Sequence, residues 1–233
     1  MFGGSIPVSW SSRWSLALPG GARPSSGWPV LVALHGFGDD GEILARRLVG
    51  LDDAPYARLF PDGPFPVDRR DAKPPRIGRT WYAYDGGQPA FLEALAFASA
   101  HVERALEIAA DEHALDRSRS VLLGYSQGGY VAGVAAIRGA SRWRGLVAIA
   151  CRIKTEALAD DLPRARGFPV LVLHGRDDDG VALDRQLAAA HVLEEHGLAV
   201  EVHVHDGGHG LRRSLTPRID AFVRRTLSIP ATA

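Results

Sequence analysis

The stretch Ser120-Val121-Leu122-Leu123-Gly124-Tyr125-Ser126-Gln127-Gly128-Gly129 constrains this chain more than any other. An apolar run breaks into Gly-x-Ser-x-Gly and then into small residues, which reads as a strand, a sharp turn and a helix. A serine at the tip of such a turn sits in strained backbone, so the residues two before and two after it must be nearly free of side chain. Gly124 and Gly128 meet that requirement. The segment Gly129 to Ala136 is helical by composition apart from Gly129 and Gly133, and glycines there let a helix approach a sheet closely. Gly-x-Ser-x-Gly also occurs in ordinary loops, so the rest of the chain must make it specific.

Other buried-type strands are read at Val30 to Leu34, at Gly145 to Ala150 and at Val170 to Leu173, with the tail of another at Leu59-Phe60-Pro61. Trp14 to Leu18 alternates as an edge strand would, and Val200 to His205 alternates with period two. Helices are expected over Glu42 to Leu51, Gln88 to Ala110, Ala182 to His196 and Ser214 to Leu227. The longest carries a stripe of Leu92, Leu95, Ser99, Val102, Leu106 and Ala109. Pro61 to Asp85, with prolines at 61, 64, 66, 74 and 75, is expected to be loop. Strands alternating with helices predict an α/β architecture around a mostly parallel sheet.

At 233 residues, 46% of them hydrophobic, the chain suits one α/β domain over 1–233. Twenty-seven basic residues balance 27 acidic ones, so no overall field recruits nucleic acid or an anionic membrane. Met1 to Gly20, including Trp10, shows no basic start followed by an apolar run, and no window is apolar for long enough to span a bilayer. The single cysteine, Cys151, forms no internal disulfide and is expected to be a buried small hydrophobe. Cytoplasmic localisation, with no stable membrane insertion, is the expectation.

In a parallel sheet, the loops after the Ser120, Val170 and Val200 strands emerge at one edge. They would bring Ser126 together with an aspartate from Asp177-Asp178-Asp179 and with His209, in the chain order serine, acid, histidine. A serine hydroxyl is a weak nucleophile near neutral pH and needs a base, for which His209, among Gly207, Gly208 and Gly210, is the candidate. Its imidazole would need a carboxylate to fix its tautomer, and periodicity does not separate the three aspartates. Negative charge on a substrate oxygen calls for donors: the backbone N–H of Gln127, and that of Phe37 between Gly36 and Gly38. His35 is read as a brace for that loop. His203 and His205 lack a third partner for a metal, and no metal site is expected.

The chain resembles the phospholipase/carboxylesterase family of α/β-hydrolases. The resemblance rests on Leu34-His35-Gly36-Phe37-Gly38-Asp39, Phe60-Pro61-Asp62-Gly63-Pro64, Trp81-Tyr82, Gly124-Tyr125-Ser126-Gln127-Gly128-Gly129, His174-Gly175-Arg176-Asp177-Asp178 and Gly208-His209, in family order over nearly the whole chain. It implies an α/β-hydrolase fold with helices on both faces of the sheet and no large cap domain. It implies Ser126 as nucleophile, His209 as base and Asp178 as acid, three positions after the glycine of His-Gly, with Phe37 and Gln127 amides as the oxyanion hole. Trp81 matches the aromatic that lines the family's acyl pocket, and Tyr125 is taken with it as substrate-binding. No cofactor is implied. The partner is a small-molecule acyl ester, with a homodimer as one option for assembly. Charged Asp68-Arg69-Arg70-Asp71 points away from long acyl chains, so a serine carboxylesterase for short to medium acyl esters is the expectation, with an acyl-protein or acyl-CoA thioesterase, a lysophospholipase or a non-catalytic binding protein as alternatives.

Overall fold

A computed structural model describes residues 11–84 and 86–229; Trp10 and Asp85, which figure in two of the readings above, lie outside them. The described strands are β1 (Trp14–Ala17), β2 (Trp28–Leu34), β3 (Ala57–Pro61), β4 (Phe65–Arg69), β5 (Arg76–Thr80), β6 (Leu115–Tyr125), β7 (Gly145–Ile149), β8 (Pro169–Gly175) and β9 (Ala199–His205). The helices are α1 (Gly41–Arg47), α2 (Gln88–His113), α3 (Gln127–Arg138), α4 (Leu183–Glu195) and α5 (Thr216–Thr226). Seven strands make one sheet in the order β1-β3-β2-β6-β7-β8-β9. Every pairing in it is parallel except that of β1, an edge strand antiparallel to β3.

The unbroken apolar runs are explained by cover on both faces. Val30, Val32 and Leu34 of β2 belong to the core cluster that takes in the buried faces of α2 and α3. Leu31 and Ala33 point the other way, toward Leu44 of α1 and Ile219, Phe222 and Val223 of α5. Full burial of such side chains contributes about 1.5–3 kcal/mol each. The buried stripe of α2 includes Leu95, Val102, Leu106 and Ala109 as expected, joined by Phe91, Ala98 and Ala105, while Leu92 and Ser99 fall at its half-exposed margin. The helix expected over 42–51 is shorter, because the chain tightens into a 3-10 turn at Val49–Leu51. There a Cβ on Gly50 would overlap the Thr216 hydroxyl at the start of α5, so the close approach of the two segments calls for glycine.

The proline-rich stretch is a correction. It is not all loop: β4 and β5 form a separate antiparallel hairpin, in register from Phe65 opposite Thr80 to Arg69 opposite Arg76. Pro64 precedes the first strand, Pro74 and Pro75 lie in the connection, and Pro66 sits in a strand paired on one side only, where a missing N–H is tolerated. The hairpin is tied to the loop after β2. Gly38 N–H donates to Arg79 O and Arg79 N–H to Asp39 O, both at 2.8 Å. Arg76 bridges to Asp39 at 3.2 Å. Among the described residues no helix is long and apolar enough to cross a membrane.

Candidate active site

Four loops leave the carboxyl ends of β2, β6, β8 and β9 on one edge of the sheet. The turn between β6 and α3 holds Ser126 at φ 53°, ψ −119°, a left-handed conformation that costs a non-glycine residue roughly 1–3 kcal/mol. The surroundings enforce it. Ser126 N–H donates to Ile149 O and Gly129 N–H to Ser126 O, each at 2.9 Å. A Cβ on Gly124 would lie 2.5 Å from Gly128 O, and one on Gly128 would lie 2.5 Å from both Leu34 O and His35 O. Those clearances account for both glycines around the serine. Cys151 is buried against Gly129, and burial pushes its thiol up to about 12.

His209 Nε2 lies 2.8 Å from Ser126 Oγ, and its Nδ1 lies 2.9 and 3.0 Å from the two carboxylate oxygens of Asp178. A carboxylate only accepts, so Nδ1 carries the hydrogen and Nε2 is left to accept from the serine hydroxyl. The Asp178 side chain is fully buried while Asp177 and Asp179 are exposed. Its Oδ1 also accepts from Gly180 N–H at 2.9 Å and Val181 N–H at 2.8 Å. Of the three aspartates left open by periodicity, Asp178 is the one brought to the imidazole.

Phe37 and Ser126 line the same opening, a cavity of about 540 Å³. The Phe37 ring is exposed, and neither its N–H nor that of Gln127 is taken by a carbonyl of the described loops. Gln127 is held by its side chain: Oε1 accepts from Trp81 N–H at 3.1 Å and Nε2 donates to Tyr82 O at 3.0 Å. Tyr125 borders the opening and donates from its hydroxyl to His209 O at 3.0 Å. Trp81 requires a correction. Its side chain is 0% exposed and its indole N–H donates to His35 O at 2.8 Å, so it braces the loop after β2 from within the core instead of lining the opening. The remaining wall is charged, with Arg47 on Asp39 at 2.6 Å and Arg69 on Asp71 at 2.7 Å.

His35 does brace its loop. Gly63 N–H donates to Nε2 at 2.9 Å, which leaves the hydrogen on Nδ1, 2.8 Å from Gly36 O. Burial lowers its pKa below the ordinary 6.5, because a charged ring there would lose hydration and Nε2 would lose its acceptor role. The folded state therefore binds the proton less readily than the unfolded one. The contribution of this ring to stability is complete above 6.5 and declines as the pH falls below it. Imidazole NMR from about pH 7.5 to 5 should show His35 still as the neutral Nδ1–H form where free histidine has charged. A midpoint at or above 6.5 would contradict this.

Sequence reasoning missed two supports. His174 is fully buried, with Nε2 2.8 Å from Val181 O and 3.4 Å from Asp178 Oδ2, and so fastens the loop that presents the carboxylate. Thr80, at the end of β5, meets the Gln127 amide at 2.8 Å. His174 was visible only as part of a His-Gly match, and Thr80 gave no signal once its strand was read as loop. His203 and His205 stand on edge strand β9, and among the described residues no group of three or more His, Cys, Asp or Glu side chains could hold a metal ion.

A parallel α/β sheet carrying a strained serine at a strand-to-helix turn, backed by histidine and a buried aspartate, defines the α/β-hydrolase class. A family model, Phospholipase/Carboxylesterase, matches residues 24–227. The chain belongs to that family, one of carboxylic ester hydrolases. Among solved structures it is similar to esterase PE8, with a TM-score of 0.75 and 23% identity over 93% of this chain and 100% of the other. It is similar to the Bacillus cereus carboxylesterase, TM-score 0.72 and 19% identity over 92% and 94%. Arabidopsis thaliana SOBER1 follows with TM-score 0.64 and 24% identity over 85% and 98%. These likenesses carry the fold. No curated protein gives a significant sequence match.

Proposed function

We propose that the chain is a serine carboxylesterase that cleaves short- to medium-chain acyl esters through an acyl-enzyme. The observation that carries this is the continuous path from Ser126 Oγ through the His209 ring to the buried Asp178 carboxylate, with spacings of 2.8 and 2.9 Å. In the first half-reaction Ser126 Oγ attacks the ester carbonyl while Nε2 takes its proton. The tetrahedral oxyanion accepts hydrogen bonds from the Phe37 and Gln127 amides, and the protonated imidazole then gives its proton to the leaving alcohol. In the second, water loses a proton to Nε2 and attacks the acyl-serine, and the carbonyl re-forms as Ser126 leaves and recovers the proton. Asp178 keeps Nδ1 protonated and stabilises the imidazolium in both.

The short-acyl preference is supported by the wall beside Ser126, where Arg47, Arg69, Asp39 and Asp71 would strand a long alkyl chain among charges. Paired assays should show it: p-nitrophenyl esters and the matching acyl thioesters, each from acetyl upward. The reading expects kcat/KM to peak by about six to eight acyl carbons, since each buried CH₂ adds only about 0.8 kcal/mol while it finds apolar contact. A steady rise to palmitoyl substrates, or a thioester preference of more than about tenfold, would place the enzyme among thioesterases.

A further inference from the structure

A second cavity, of about 380 Å³, shares no lining residue with the charged opening. Gly180 and Val181 of the Asp178 loop form one wall, and a Cβ on Gly180 would come 3.0 Å from His209 Nδ1. Tyr130 of α3, four residues after Ser126 in the chain, forms another wall. Through Gly180 and Val181 the cavity adjoins the loop that presents Asp178 and the ring of His209.

Its lining is aromatic below and cationic above. Phe91 packs edge-on against Tyr82 at 5.1 Å and at a tilt against Tyr84 at 5.0 Å between ring centroids. Lys154 Nζ sits 5.5 Å from the Phe91 ring centroid, and Arg152 and Arg185 also face the space. One carboxylate, Glu156, answers two of the three cations: it meets Lys154 at 2.7 Å and pairs with Arg152. Although partial burial alone would raise it, the hydrogen bonds from Lys154 and Arg152 hold the Glu156 carboxyl down to about 2. Among the described residues the Arg185 guanidinium makes no ion pair, and the neighbouring Asp184 carboxylate accepts from the Arg185 backbone N–H at 2.8 Å. Three positive groups against one negative, over a floor of rings, suit a flat aromatic group ending in a carboxylate.

We propose that this cavity is a specificity subsite for the aromatic carboxylate of an anionic ester, with Arg185 as the cation left open for it. The proposal rests on Ser126 being the nucleophile and adds the substrate class. The test uses two isosteric pairs: p-acetoxybenzoate against p-acetoxybenzamide places the charge on the leaving alcohol, and monomethyl terephthalate against methyl p-carbamoylbenzoate places it on the acyl group. For at least one pair, Arg185→Gln should lower the charged-to-neutral ratio of kcat/KM by about tenfold and leave turnover of the neutral ester unchanged. A ratio unaffected in both pairs, or an equal loss on charged and neutral esters, overturns the subsite. Equilibrium binding separates this from the reading of the triad: benzoate should bind the wild-type protein at least about fivefold more tightly than benzamide, a difference removed by Arg185→Gln. If no neutral ester is cleaved, the nucleophile reading fails while the binding result still decides the subsite.

Discussion

Ser126→Ala is expected to lower kcat on a short acyl ester by roughly four to six orders of magnitude, with an unchanged thermal midpoint. The size follows from the proposed role: on that reading no acyl-enzyme forms without Oγ, and what would remain is water attacking an ester polarised by the Phe37 and Gln127 amides. In barrier terms this is about 5–8 kcal/mol. The fold should not notice, because Ser126 makes its structural bonds through its backbone, N–H to Ile149 O and carbonyl to Gly129 N–H. Alanine at φ 53° is strained much as serine is. Loss of less than about a hundredfold in a purified, folded variant would mean that another group supplies the nucleophile.

Asp178→Asn is expected to cost roughly 10³- to 10⁴-fold in kcat with little change in KM. An amide of the same shape can still accept from Gly180 and Val181 N–H through its oxygen, as Oδ1 does now. Its NH₂ would then face His209 Nδ1 and donate where the carboxylate accepts. That moves the ring hydrogen to Nε2, which can no longer accept from the Ser126 hydroxyl 2.8 Å away. Asp177→Asn and Asp179→Asn serve as controls, since both side chains are exposed, and each should stay within about threefold of wild type. Equal losses at all three positions would point to the net charge of the loop instead of one positioned carboxylate.

The parts of the molecule legible in the sequence are those in which local pattern and tertiary environment agree. The cores of β2, β6, β7 and β8 are apolar without interruption because helices cover both faces, and the glycines around Ser126 stand at fixed spacing about the turn even though part of what demands them, Leu34 O and His35 O against Gly128, comes from another strand. The β4–β5 hairpin was not legible. Its strands are short, prolines stand before, within and between them, and their anchor is a loop about forty residues earlier, through Gly38 and Asp39. The choice of Asp178 depends on its side chain accepting from two amides just downstream, a turn that Gly180 signals only faintly. Trp81 misled for a related reason: an aromatic beside a loop can face a cavity or the core, and here its N–H finds His35 O inside.

The central claim is that Ser126 is made reactive in water by His209 and Asp178. Its most direct test is exposure of the folded protein to a fluorophosphonate, followed by mass spectrometry of the peptides. The account predicts one phosphonyl group per chain, on Ser126, and labelling slowed by at least about a hundredfold in His209→Ala. A folded wild-type protein that stays unlabelled, or that carries the phosphonyl group on another residue, would contradict it.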